Sequence, residues 1–110
     1  MPRDFNKEEA ALAKKIGAKV VRNSGRGQFS HGDMQLGDFL IDAKFTETYF
    51  GLSHGSWAKV CTDASKARRD PALFVVMGEE KQIKTTVVVV EQSIFLDYIR
   101  LRELEEAGEL

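Results

Sequence analysis

The stretch Gly32 to Lys44, GDMQLGDFLIDAK, constrains the fold more than any other part of this chain. Gly37-Asp38 is a tight-turn dipeptide between two strand-like runs, so Gly32 to Leu36 is expected to fold back antiparallel onto Phe39 to Phe45. In the second run Phe39, Ile41, Ala43 and Phe45 alternate with Leu40, Asp42, Lys44 and Thr46. Successive strand side chains point to opposite faces, so the first set can enter a core while Asp42 and Lys44 become neighbours on the other face. Asp33 is then expected across from the Asp42 region.

Two carboxylates on adjacent strands, with a main-chain carbonyl nearby, suit a hard divalent cation such as Mg²⁺, which prefers oxygen ligands and retains several waters. Lys44 would polarise an attacking water or steady the charge that grows on a scissile phosphate. An acid and a lysine at i and i+2 on a half-exposed strand also form a common solvated pair, so D-x-K alone has little meaning. The preceding Gly-Asp, the hairpin and the flanking segments carry the metal-site reading, and that reading points to hydrolysis of a phosphodiester.

With 110 residues, 43% of them hydrophobic, the chain is expected to form one domain over residues 1–110 with a single core. A formal net charge of -1 with 30% charged residues is unlike a strongly basic DNA-coating protein, so any nucleic-acid contact must be local. An acidic catalytic cluster lowers the net charge until metal binds, so a phosphodiester substrate stays compatible. Cys61 is the only cysteine, which excludes an intrachain disulfide, a zinc cluster and a redox pair, and it reads as buried filler. The amino-terminal MPRDFNKEE lacks the apolar segment of a secretory signal, and Ala72 to Met77 and Val87 to Val90 are too short to span a membrane. A soluble, cytoplasmic protein is expected.

Asn6 before Lys7-Glu8-Glu9 predicts a helix start, with Asn6 as N-cap, Glu9 as the other half of a capping box, and an end near Gly17. Ala18 to Arg22 reads as the first strand and Asn23 to His31 as a loop. Beyond the hairpin come a loop from Thr46 to Gly55 and a helix from Ser56 to Arg69, ended by Asp70-Pro71. Trp57, Val60, Cys61 and Ala64 share one face of that helix. Ala72 to Met77 and Thr85 to Glu91 read as paired strands, and Ser93 as the cap of a helix from Ile94 to about Ala107. Phe95, Tyr98, Ile99, Leu101 and Leu104 give that helix a broad apolar face. The order predicts an α/β domain with a mixed five-stranded sheet flanked by helices.

These segments together resemble small PD-(D/E)XK nucleases, close to the archaeal and phage-type Holliday junction resolvases, over roughly residues 6 to 91. The resemblance is carried by Glu9 in KEEAALAKKIGAK, by VVRNSGRG, by His31-Gly32-Asp33 and by Ile41-Asp42-Ala43-Lys44. FTETYFGLSHGSWAKV and PALFVVMG resemble the segments that follow the motif in that family. The resemblance implies a restriction-endonuclease-like fold, with Asp33 and Asp42 as ligands of Mg²⁺ (Mn²⁺ substituting) and the Ala43 carbonyl as a third oxygen. It also implies Lys44 as the catalytic lysine and Glu9 as an outer or bridging acid. Glu8 competes with Glu9 for that role, and Asp38 with Asp33. Position 42 departs from the family's more frequent glutamate, and the shorter arm of Asp42 shifts or loosens the metal. His31 stands where a basic or loop residue is expected and reads as a loop histidine.

Arg22, Arg26, Lys44, Lys59, Lys66, Arg68 and Arg69 are candidates for phosphate contacts, which provide affinity without sequence information. Arg22 and Arg26 lead directly into the acidic segment, and Ser24 with Gly25 and Gly27 forms a loop that can approach a DNA backbone closely. Lys66 to Arg69 reads equally well as a solvated helix end that complements the helix dipole. No base-reading element is present, so recognition would be of shape. The expected activity is junction cleavage by a homodimer with one site per subunit, since a four-way junction needs two symmetric cuts. Nicking or repair cleavage of other branched or linear DNA, and an inactive DNA-binding module, remain open. The small size is compatible with a phage or prophage origin in a bacterial cell.

Overall fold

A computed structural model describes residues 4–21, 33–79 and 81–109. Its elements are α1 (Phe5–Ile16), β1 (Lys19–Val20), β2 (Asp33–Leu36), β3 (Phe39–Thr46), α2 (His54–Lys66), β4 (Asp70–Met77), β5 (Thr85–Val89) and α3 (Gln92–Glu106). The strands form one mixed sheet in the order β1-β2-β3-β4-β5, parallel only between β3 and β4. The parallel step is the one bridged by α2, as a crossover requires. The expected α/β architecture, a mixed five-stranded sheet flanked by helices, is thus present.

The hairpin follows from its turn. Gly37 takes φ +57 at the first central position while Asp38 does not, the pattern of a type II′ turn that suits the strand twist. The resulting register pairs Leu36 with Phe39, Met34 with Ile41 and Asp33 with Asp42. Arg69 fastens the turn from outside by donating to the Gly37 carbonyl at 2.7 Å, and the Asp70 amide donates to the Asp38 carbonyl at 2.7 Å.

Ala13 of α1 joins Met34, Ile41, Ala43 and Ala72 in a buried cluster on one face of the sheet, with Leu12, Ile16, Phe39, Phe45 and Phe74 packed around it. Met34, Ile41 and Leu73 are the largest fully buried side chains. Each such side chain contributes roughly 1.5–3 kcal/mol through removal from water. Val60 and Ala64 are the buried residues of α2, and the helix lies over Leu73 on the opposite face, the face of Asp42 and Lys44.

Several boundaries differ from expectation. The N-cap of α1 is Asp4, whose carboxylate accepts from the Lys7 amide at 3.1 Å, so Asn6 lies inside the helix and Glu9 is not its capping partner. Both Asx residues are competent caps, and the earlier one captures a free amide. The other end is as expected, with Gly17 at φ +78 closing the helix. Helix α2 starts at His54 because Ser53 and Ser56 form a reciprocal capping box. It stops at Lys66, before Asp70-Pro71, through Arg68 at φ +58, and Asp70-Pro71 begins β4. Proline is accepted there at the start of the strand. The N-cap of α3 is Glu91, without a side-chain cap bond, and Ser93 is within the helix. Cys61 is half-buried and donates to Glu91 Oε1 at 3.5 Å, tying α2 to the root of α3. No helix among the described residues is long and apolar enough to cross a membrane.

Candidate active site

The hairpin register brings Asp33 and Asp42 directly opposite each other on neighbouring antiparallel strands. Side chains in such a pair share a face, and like charges placed there repel. Both carboxylates are partly withdrawn from water. The Asp33 carboxyl is raised from 3.8 to about 6, first by burial and then by the negative charge of Asp42, with Asp63 adding to it and Lys44 and Lys59 opposing. Asp42 is also raised, chiefly by burial, against the opposing charge and hydrogen bond of Lys44. Lys44 Nζ lies 3.3 Å from Asp42 Oδ1, so the two alternating residues of β3 meet as an ion pair.

This arrangement concentrates more negative charge than its local cations relieve. A divalent cation between Asp33 and Asp42 would remove the repulsion and offset the lost hydration of both groups. The donor chemistry, two hard carboxylate oxygens on rigid strands, fits Mg²⁺ or Mn²⁺. No group of three or more His, Cys, Asp or Glu side chains suited to a metal occurs among the described residues, so the protein part of such a site is the pair plus main chain. Mg²⁺ tolerates so few protein ligands because it keeps much of its water.

The wall beside the pair is built by α2 and the segment before it. Asp42, Lys44, Phe50, Leu52, Ser56, Lys59, Val60 and Leu73 line a cavity of about 90 Å³. Lys59, singled out as a phosphate contact, is therefore next to Asp42 and Lys44, with its ammonium 3.5 Å from Asp63 on the next turn. Asp63, Ser56 and the apolar Phe50 and Leu52 were not selected as site residues from the sequence. Only Asp63 carried a usable signal, as the i+4 partner of Lys59 on a helix face.

Glu9 is buried on α1, the helix that packs through Ala13 against Ile41 and Ala43. It therefore belongs to the layer opposite Asp42 and Lys44. Glu8, its competitor, lies 3.9 Å from Lys84. Asp38 is in the exposed turn at the end of the hairpin, four residues from Asp42, whereas Asp33 faces Asp42. Ala43 is buried, its side chain in the core cluster between the two site residues of β3. Arg69 is engaged with the hairpin turn, which gives it a structural role. Arg22, Ser24, Arg26 and His31 lie outside the described residues.

The class defined by these observations is a small α/β domain with a mixed five-stranded sheet and a half-buried acid pair beside a lysine. No family model, curated protein or solved structure matches the chain.

Proposed function

We propose that the chain is a metal-dependent, structure-selective DNA endonuclease on a restriction-endonuclease-like fold, resolving four-way junctions. The observation that carries this reading is the cross-strand pairing of Asp33 with Asp42, with Lys44 at 3.3 Å from Asp42. A repelling carboxylate pair held on two rigid strands, with a cation on one side, has the composition of a site for phosphodiester hydrolysis.

Asp33 and Asp42 would hold Mg²⁺, with the Ala43 carbonyl as the main-chain oxygen, while Glu9, in the layer across the sheet from them, is not a ligand. When bound, Mg²⁺ supplies an activated water and neutralises the scissile phosphate. Lys44, fixed by Asp42, places its ammonium where charge develops on the phosphate and orients the attacking water. Lys59 and Ser56 hold the flanking backbone, and Arg22, Ser24 and Arg26 add further phosphate contacts. The choice of junctions over other DNA rests on the resemblance of the Glu9, Gly32-Asp33 and Asp42-Ala43-Lys44 segments to the resolvases.

The test is cleavage of a labelled four-way junction beside linear duplex and single strand, with Mg²⁺ and with chelator, for the intact protein and Asp42→Ala. Paired cuts near the branch point that need Mg²⁺ and vanish in the variant are expected. Equal cutting of linear DNA would make it a general nuclease, and junction binding without cutting by either protein would leave a binding module.

A further inference from the structure

Hydrolysis of a phosphodiester calls on charged and polar groups, so the apolar side chains beside Asp42 and Lys44 have no part in that chemistry. Phe50, Leu52, Val60 and Leu73 nevertheless make up half the lining of the cavity of about 90 Å³ in which Asp42 and Lys44 stand. Val60 comes from α2 and Leu73 from β4, and both are buried. Phe50 and Leu52 come from the segment between β3 and α2. There the Thr46 hydroxyl donates to the Tyr49 carbonyl, and the Tyr49 ring rests against Gly51. Phe50 is half-buried, whereas Leu52 is still 44% exposed. This apolar wall is part of the fold and is not yet covered.

The size of the space limits its occupant. A cavity of about 90 Å³ corresponds to roughly three waters of liquid, and pockets for drug-sized ligands begin at about 300 Å³. A whole nucleoside is too large for it, and a five-membered sugar ring fits. A sugar is also what a phosphate brings with it. Each bridging oxygen of a phosphodiester is bonded to a sugar carbon, so a phosphate held at Asp42 and Lys44 leaves one of its two sugars against Phe50, Leu52 and Val60. The polar groups of the lining already have partners. Asp42 is paired with Lys44 at 3.3 Å, Lys59 with Asp63 at 3.5 Å, and the Ser56 hydroxyl donates to the Ser53 carbonyl at 3.1 Å. A deoxyribose, whose C2′ is a methylene, suits such a wall. A ribose would carry in a hydroxyl that loses its water and meets no free partner.

From these observations we infer that the cavity is a sugar subsite, which seats the deoxyribose of one nucleotide flanking the scissile phosphate and rejects a 2′-hydroxyl there. The inference rests on the nuclease reading of the acid pair. It adds a discrimination at a single nucleotide that groups meeting only phosphate do not provide. An apolar pocket turns away an added hydroxyl by a moderate factor, about 10–100-fold.

The experiment uses the intact protein and a labelled four-way junction. Single ribonucleotides, or single 2′-fluoro nucleotides, replace the deoxynucleotides near the branch one position at a time. Single-turnover cleavage with Mg²⁺ is read beside binding with Ca²⁺ in its place. One ribonucleotide position next to the cut should lose about 10–100-fold in both readouts, and the other positions should change little. The 2′-fluoro nucleotide at that position, which has the ribose pucker without a hydroxyl to desolvate, should behave as deoxyribose. Leu52→Ser and Val60→Thr each supply a hydroxyl to the wall and should narrow the deoxy-to-ribo ratio about three- to tenfold. A ratio taken within one protein is insensitive to partial loss of folding. Equal handling of ribose and deoxyribose at every position, equal rejection of hydroxyl and fluorine, or a ratio unmoved by both variants would overturn the inference while Mg²⁺-dependent cleavage stood. Binding that discriminates at one position without any cleavage would support the subsite and sink the nuclease reading instead.

Discussion

The α2 side of the sheet and the α3 face expose opposite kinds of chemistry. On the α2 side a buried apolar contact, Val60 and Ala64 over Leu73, stops short of Asp33, Asp42 and Lys44 and leaves a charged hollow. On α3 the exposed groups include the large apolar side chains Phe95, Leu96, Tyr98, Ile99 and Leu101 beside ion-paired charges, and nothing on the helix is buried. Polar groups held at a distance from bulk water gain chemical reactivity, whereas apolar groups left in water gain only a tendency to be covered. The first region therefore suits catalysis and the second association, and each can be disturbed without the other.

The largest effect expected from breaking this separation is on the charged side. Asp42→Ala should reduce cleavage to background while leaving the solution mass unchanged, as measured by single-turnover kinetics beside sedimentation. Lys44→Met should lower kcat by about 10²–10³-fold, the range for loss of one group that stabilises transition-state charge. Because Lys44 opposes the upward shift of Asp42, its removal should also move the acid limb of the rate profile to higher pH.

In the core beneath both regions, Ile41→Ala should cost about 2–5 kcal/mol in denaturant unfolding, since Ile41 is almost fully enclosed between Met34 and Ala72. Leu96→Ala on exposed α3 should cost less than about 1 kcal/mol in the same experiment. Equal losses at the two positions would mean that α3 is packed as tightly as the sheet.

A smaller effect concerns protons. Asp33 has a folded value near 6 against 3.8 when free, so the folded state binds this proton more readily than the unfolded chain. Its contribution to stability is fully present below about 3.8 and is lost as pH rises through about 6. The metal-free protein should therefore show a falling contribution to Tm over that window, which Asp33→Asn flattens and saturating Mg²⁺ offsets. Cleavage should move the other way, rising through about pH 6 as Asp33 becomes free to bind metal.

The site was legible where local rules determine position. Gly37-Asp38 and the period of two along β3 put Asp33 opposite Asp42 and Lys44 beside it, with no tertiary information required. The helix starts were less legible because neighbouring caps compete, Asp4 with Asn6 and Ser53 with Ser56, and the choice depends on which amide is left free. The approach of Ser56, Lys59 and Asp63 to the acid pair depends on how α2 docks over Leu73, which spacing within a helix does not encode. Likewise, the apolar period of α3 announced a face to be covered and carried no sign that its own sheet leaves that face open. Glu9 was selected from a motif, and its layer, opposite Asp42, follows from the packing of Ala13 against Ile41.

Divalent-ion binding at neutral pH, followed by Mn²⁺ electron paramagnetic resonance with Mg²⁺ competition in wild type and Asp42→Asn, tests the acid pair most directly. Saturable uptake by the wild type that Mg²⁺ displaces and that the variant loses is the predicted result. Identical isotherms for the two proteins would contradict a metal site at Asp33 and Asp42.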